Sequence, residues 1–108
     1  MTAYRVEHYC TGVGLDVFGA WFDALRDAQA RHRIAMRVDR LALGLFGDAK
    51  TLDEGVCELR IDYGPGYRVY YAKSGRSVVL LLCGGDKRTQ RADVARAVRY
   101  WRDFRGVQ

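Results

Sequence analysis

The stretch VCELRIDYGPGYRVYYAKSGRSVVLLLC, residues 56–83, decides the fold class. Its first part alternates. Cys57, Leu59, Ile61 and Tyr63 share one face, and Glu58, Arg60 and Asp62 share the other, which predicts a half-buried strand with a charged open face. DYGPGY turns the chain, because Pro65 fixes one φ while Gly64 and Gly66 permit positive values. YRVYYAK, residues 67–73, predicts a second strand with Arg68 and Tyr70 on one face and Tyr67, Val69 and Tyr71 on the other. SGRS turns again, and SVVLLLC, residues 77–83, has no alternation, as expected of a central strand covered on both faces.

Outward from this meander, the pattern changes to helical. Before it, Phe18, Trp21, Phe22, Leu25 and Ala28 predict a helix over about 16–30, with Asp16 as its cap. Ile34, Val38, Leu41 and Leu45 predict a second over about 31–44, and LGLFGDAK, residues 43–50, reads as a loop. At the start, YRVEHYC (4–10) predicts a strand with Tyr4, Val6, His8 and Cys10 on one face and Arg5, Glu7 and Tyr9 on the other. After the meander, Val94, Ala97, Val98, Trp101 and Phe104 predict a helix over about 90–105. The expectation is an α+β fold: an N-terminal strand, two helices, a three-stranded antiparallel meander and a C-terminal helix. The helices should pack on one face of a mostly antiparallel sheet.

The 108 residues fit one domain, 1–108, large enough for a core without staples. No apolar run approaches a membrane span, and MTAYRVEHYC has no signal-like apolar segment, so the chain reads as cytosolic without a membrane partner. Cys10, Cys57 and Cys83 are odd in number and form no CxxC pair, which argues against zinc and disulfide frameworks; Cys57 and Cys83 read as inert core thiols. His8 and His32 have no obvious partners and no metal-ligand spacing occurs, so no metal or other cofactor is expected. The net charge of +5 is concentrated late: Lys87, Arg88, Arg91, Arg96, Arg99, Arg102 and Arg105 stand against Asp93 and Asp103. Such a segment suits a nucleic acid or an acidic protein surface. Arg31, Arg33, Arg37 and Arg40 on the second helix form either a solvated face or a partner contact.

The chemistry gathers around the strand ends. Arg60 and Arg68 lie on strands joined by a tight hairpin, Lys87 and Arg88 follow the next strand in GGDKRTQ, and Lys50 enters from the preceding loop. Several fixed cations in a concavity bind a phosphodiester and stabilise the extra charge of a pentavalent transition state. Gly84 and Gly85 permit close approach and a backbone anion nest; Gln90 and Arg91 extend the phosphate-binding set. The plainer reading also stands. The arginines then make surface salt bridges with Glu58 or Asp62, the glycines end a strand, and Thr89 caps the last helix.

FGDAK, GVCELRIDYGPGYRVYYA and VVLLLCGGDKRTQRADVARAVRYW together resemble the RelE/ParE superfamily of toxins, in the HigB-like, phage-derived Gp49-like branch of addiction module killer proteins. The likeness runs from Phe18 to about Phe104. It implies a RelE/ParE-like fold and the toxin of a two-gene toxin–antitoxin module. For most RelE and HigB types it further implies metal-independent cleavage of messenger RNA in the ribosome, the ribose 2′-hydroxyl attacking the adjacent phosphate. By resemblance, Arg68 holds the scissile phosphate, Lys87 and Arg88 are the basic pair after the last strand, and Lys50 is the basic loop residue. Arg60 falls on the exposed face of the ELR strand. The implied partners are a helix-turn-helix antitoxin, the ribosome and messenger RNA, with DNA met only through the antitoxin.

The chain also departs from the family pattern. The paired strand lysines fall on Val56 and Glu58, the tyrosine of the last helix falls near Val94, and the histidines near the last strand are missing. The proton acceptor is therefore assigned to Glu58 or Asp86, with Lys87 or a ribosomal group assisting the leaving oxygen. Two other activities remain open: a ParE-like inhibitor of DNA gyrase, and a non-catalytic protein whose basic face binds an antitoxin or nucleic acid.

Overall fold

A computed structural model describes residues 3–106; Met1, Thr2, Val107 and Gln108, the ends of the span expected to form one domain, lie outside the described residues. The elements run β1 (Arg5–His8), α1 (Val17–Ala24), α2 (Ala28–Ala42), β2 (Ala49–Thr51), β3 (Val56–Ile61), β4 (Tyr67–Ser74), β5 (Val78–Asp86) and α3 (Gln90–Arg105). The class is α+β, as the alternation of strand and helix patterns predicts.

The sheet differs from the expected arrangement. The β3–β4–β5 meander is the middle of a five-stranded mixed sheet in the order β1-β5-β4-β3-β2. β1 pairs parallel with β5, and β2 pairs antiparallel with β3, with Lys50 opposite Glu58. The loop expected over residues 43–50 thus ends in an edge strand, too short for its alternation to stand out.

The helices also cover both faces rather than one. Ile34 and Leu41 of α2 and Phe18 of α1 bury against Leu59, Val69, Tyr71, Val79 and Leu81. Ala97 and Trp101 of α3 bury against Val56, Tyr70, Ala72, Leu80 and Leu82 on the opposite face. This is why β5 lacks alternation: both its faces are core. The single long helix expected over 16–30 breaks at Leu25, and Asp27 accepts from the Gln29 and Ala30 N–H groups to start α2. Asp16 caps α1 as expected, through the Gly19 N–H. In β1 the expected faces fail at the end: Tyr9 is buried and Cys10 exposed, and His8 does have a partner, its Nδ1 lying 2.8 Å from Asp16 Oδ2.

A β-bulge re-aims the end of β5. Tyr70 pairs with Cys83 and Tyr71 with Leu81, so Leu82 is the extra residue. Beyond it, Gly84 faces α1 and Gly85 faces α3. A Cβ on Gly84 would meet the Trp21 ring at 2.2 Å, and one on Gly85 would meet Asp93 Oδ2 at 1.8 Å. The glycines therefore serve helix docking. Both stay within β5 opposite Val69 and Arg68, and neither has positive φ, which rules out the expected anion nest.

Far from this junction, the other end of α3 is tied down by Glu54. Its backbone is left-handed (φ 58°), its carbonyl accepts from Trp101 Nε1 at 2.9 Å, and its carboxylate pairs with Arg102 and Arg105. No helix among the described residues is long and apolar enough to cross a membrane.

Gly84→Ala and Gly85→Ala are each expected to lower unfolding stability by about 1–3 kcal/mol through overpacking, outweighing the usual gain from replacing glycine in a strand. The urea midpoint measures this, and an unchanged midpoint in either variant would refute the close-docking account.

Candidate active site

Register builds the site. Arg60 of β3 stands directly opposite Arg68 of β4, and Glu58 stands opposite Tyr70 one row inward. Alternation puts all four side chains on the α3 face of the sheet, but α3 begins only at Gln90 and leaves the arginine row uncovered. The result is an open cavity of about 370 Å³, walled by Arg60, Arg68 and Lys87 with the carboxylates of Asp48 and Asp62. The turn at residues 62–66 closes one side. Gly64 (φ 56°) and Gly66 (φ 81°) take left-handed backbone there, and the position of a Cβ on Gly66 is 3.5 Å from Lys87 Cβ.

Two like charges directly opposite each other in a sheet are destabilising, with Cβ atoms about 5 Å apart. Arg60 is partly compensated: its Nη2 lies 3.1 Å from Asp48 Oδ1, and Arg37 Nη1 donates to its carbonyl at 2.7 Å. Arg68 has no ion pair among the described residues. The Nε atoms of both arginines are buried without a hydrogen-bond partner. A buried donor left unsatisfied costs about 1–3 kcal/mol, so the arginine row carries a standing local penalty.

The two carboxylates expected to take a proton are placed differently from the expectation. Glu58 is not on an open charged face; it is 1% exposed. Its Oε2 accepts from Tyr70 OH at 3.2 Å and from Gln90 Nε2 at 2.8 Å. Burial and the adjacent Glu58 charge push the Tyr70 hydroxyl far above its ordinary value, so it stays a donor. Asp86 is a structural cap. Its Oδ1 accepts from the Arg88 N–H at 2.8 Å, and its Oδ2 lies 3.1 Å from Arg88 Nη2. The Arg88 guanidinium, with the Arg88 and Thr89 N–H groups, holds its carboxyl below the usual range against the opposing effect of burial. Asp86 thus takes the capping role expected of Thr89, whose hydroxyl donates to buried Asp93 at 2.5 Å.

The structure brings Arg60, Arg68 and Lys87 together and places Glu58 beside them. Two more of the expected set join at the Glu58 end: exposed Lys50 of β2 is paired directly opposite Glu58 on the same face, and Gln90 donates to Glu58. Arg88, paired with Asp86, and exposed Arg91 are not brought in. Asp48 and the Tyr70–Glu58–Gln90 chain escaped the sequence reading. Recognising DAKT as a strand paired with ELR would have placed Asp48 near Arg60. Cys83 is inert as expected, burial raising its thiol to about 12, whereas Cys57 is only half-buried. Among the described residues, no three His, Cys, Asp or Glu side chains gather as a metal-binding group.

A family model described as "Phage derived protein Gp49-like" matches residues 20–99, which include every residue of the cavity wall. An uncharacterized protein of Haemophilus influenzae is 46% identical over 80 residues, spanning 74% of this chain and 81% of that protein.

Asp86→Ala is expected to cost about 0.5–2 kcal/mol of stability at neutral pH, the usual worth of a cap. The folded carboxyl sits below its unfolded value of about 3.9, so the contribution is full above that pH and is lost as pH falls through the folded value. Unfolding curves of wild type and variant should therefore converge in acid; a constant gap would contradict the assignment.

Proposed function

The chain belongs to the Gp49-like family of phage-derived proteins, the addiction module killer or RelE-like toxins, and from that premise we propose that it is a metal-independent, ribosome-dependent endoribonuclease acting on messenger RNA. The family is one of toxins from toxin–antitoxin modules, and an antitoxin partner comes with it. The finer reading rests above all on one observation: two arginines directly opposed on paired strands line an open cavity of about 370 Å³ together with Lys87.

In this reading, Arg68 and Arg60 hold the non-bridging oxygens of the scissile phosphate. Being fixed on paired strands, they need no reorganisation as charge develops. The 2′-hydroxyl oxygen attacks phosphorus and its proton passes to Glu58. The bond to the 5′ oxygen breaks, that oxygen takes a proton from Lys87 or from a ribosomal group, and a cyclic phosphate remains. Glu58 lies on the same face as both arginines, diagonal to Arg68, with Tyr70 and Gln90 fixing its carboxylate. Asp86, committed to its cap, is the weaker candidate for this step. Lys50, Arg88 and Arg91 contribute to the surrounding positive field that attracts RNA.

A gyrase-blocking activity is the second reading, favoured by the burial of Glu58 and the capping role of Asp86, which leave no freely exposed base of the expected pair. The two readings separate on one experiment. Wild type and Arg68→Ala are induced in a bacterial host and messenger RNA ends are mapped. In-frame cuts within translated regions are expected, reduced about 10²- to 10³-fold in the variant at an unchanged unfolding midpoint. Growth arrest with gyrase-dependent DNA breaks and no such cuts would reverse the assignment.

A further inference from the structure

Helix α2 carries arginines that the proposed cleavage does not use. Arg33, Arg37 and Arg40 fall at i, i+4 and i+7, on one helix face, and span about 10 Å at 1.5 Å per residue. Together with Met36 they line a groove of about 200 Å³ completed by Ile61 and Asp62. Ile61 and Asp62 also line the arginine cavity, so groove and cavity adjoin around the end of β3.

Arg37 is committed to the fold, donating to the carbonyls of Arg60 at 2.7 Å and Phe46 at 3.3 Å. The other two are not. The Arg33 guanidinium sits 4.6 Å from the centre of the Tyr63 ring, and neither Arg33 nor Arg40 pairs with a carboxylate among the described residues. Stacking on an aromatic ring restrains an arginine while leaving its N–H fork free for a phosphate.

We infer that this groove is a second binding site for the backbone of single-stranded RNA, taking phosphates that adjoin the one held by Arg60 and Arg68. The identity of the occupant rests on the ribonuclease reading; the charge and shape of the groove do not. Proteins that hold single strands combine a cationic track with apolar surfaces for the bases, and the exposed Met36 in the groove supplies the latter. The shared wall favours RNA over an acidic protein segment, because one strand reaches both sites.

The test uses a short, fully 2′-O-methylated RNA, which lacks the attacking hydroxyl and stays intact. Its affinity for the full chain is measured by fluorescence anisotropy across a salt series. Arg33→Gln combined with Arg40→Gln is expected to weaken binding about tenfold or more and to reduce the salt slope by about 1.4, at about 0.7 per lost single-strand phosphate contact. Arg33→Lys with Arg40→Lys should keep most of the slope. Arg76→Gln, in the turn between β4 and β5, removes a charge elsewhere and should leave binding unchanged. An unchanged slope in the double glutamine variant, an equal fall in Arg76→Gln, or no binding by wild type at low salt would overturn the inference. Cleavage of unmodified messenger RNA on ribosomes is scored separately. Its absence with groove-dependent binding intact would sink the ribonuclease reading alone.

Discussion

At Gly84 and Gly85 the sheet has no side chain on either face, and both helical layers close on that gap. Trp21 enters from the α1 side, and Asp93 with Thr89 enters from the α3 side. The bulge at Leu82 sets which glycine faces which helix. Because α3 is seated there by its first turn, its start is fixed against β4 and β3. That seating places Gln90 over Glu58 and Lys87 beside the turn at Gly66. The cavity is thus a consequence of where a helix is allowed to begin.

The same seating explains how the fold tolerates two arginines in register. A helix one turn longer at its start would bury them, and burying unpaired guanidinium groups is costly. Instead the helix stops short, Asp48 offsets one charge, and Arg37 braces the backbone beneath it. What remains is a fixed excess of positive charge with unmade hydrogen bonds. Stability is given up locally, at the two buried Nε donors.

Much of this was legible in the sequence, and the failures have physical causes. The meander was readable because β3 and β4 alternate and β5 does not. The pairing of Arg60 with Arg68 followed from the hairpin alone. Glu58 misled because alternation reports only the face a residue shares, and nothing in ELR says that Tyr70 and Gln90, 12 and 32 residues away, cover that face. Gly84 and Gly85 suggested close backbone approach to an anion, but their lack of side chains answers Trp21 and Asp93, which lie on other elements. Asp48 and β2 were lost because three residues are too few to show a period. One helix was read through Asp27 because apolar spacing continued across the break.

The topology also orders events in time. β1 can pair with β5 only after residues 78–81 have been made, and the hairpin carrying Arg60 and Arg68 precedes Lys87, which completes the cavity wall. Chains emerge from the ribosome N-terminus first, at about 5–20 residues per second. Lys87, Gln90 and the α3 anchor at Trp101 come late, and Glu54 waits some 47 residues for its partner. A nascent chain therefore holds its arginines on an unsupported hairpin, without the lysine or the carboxylate clamp. The full set of walls around the arginines therefore exists only once the last strand and α3 have been made.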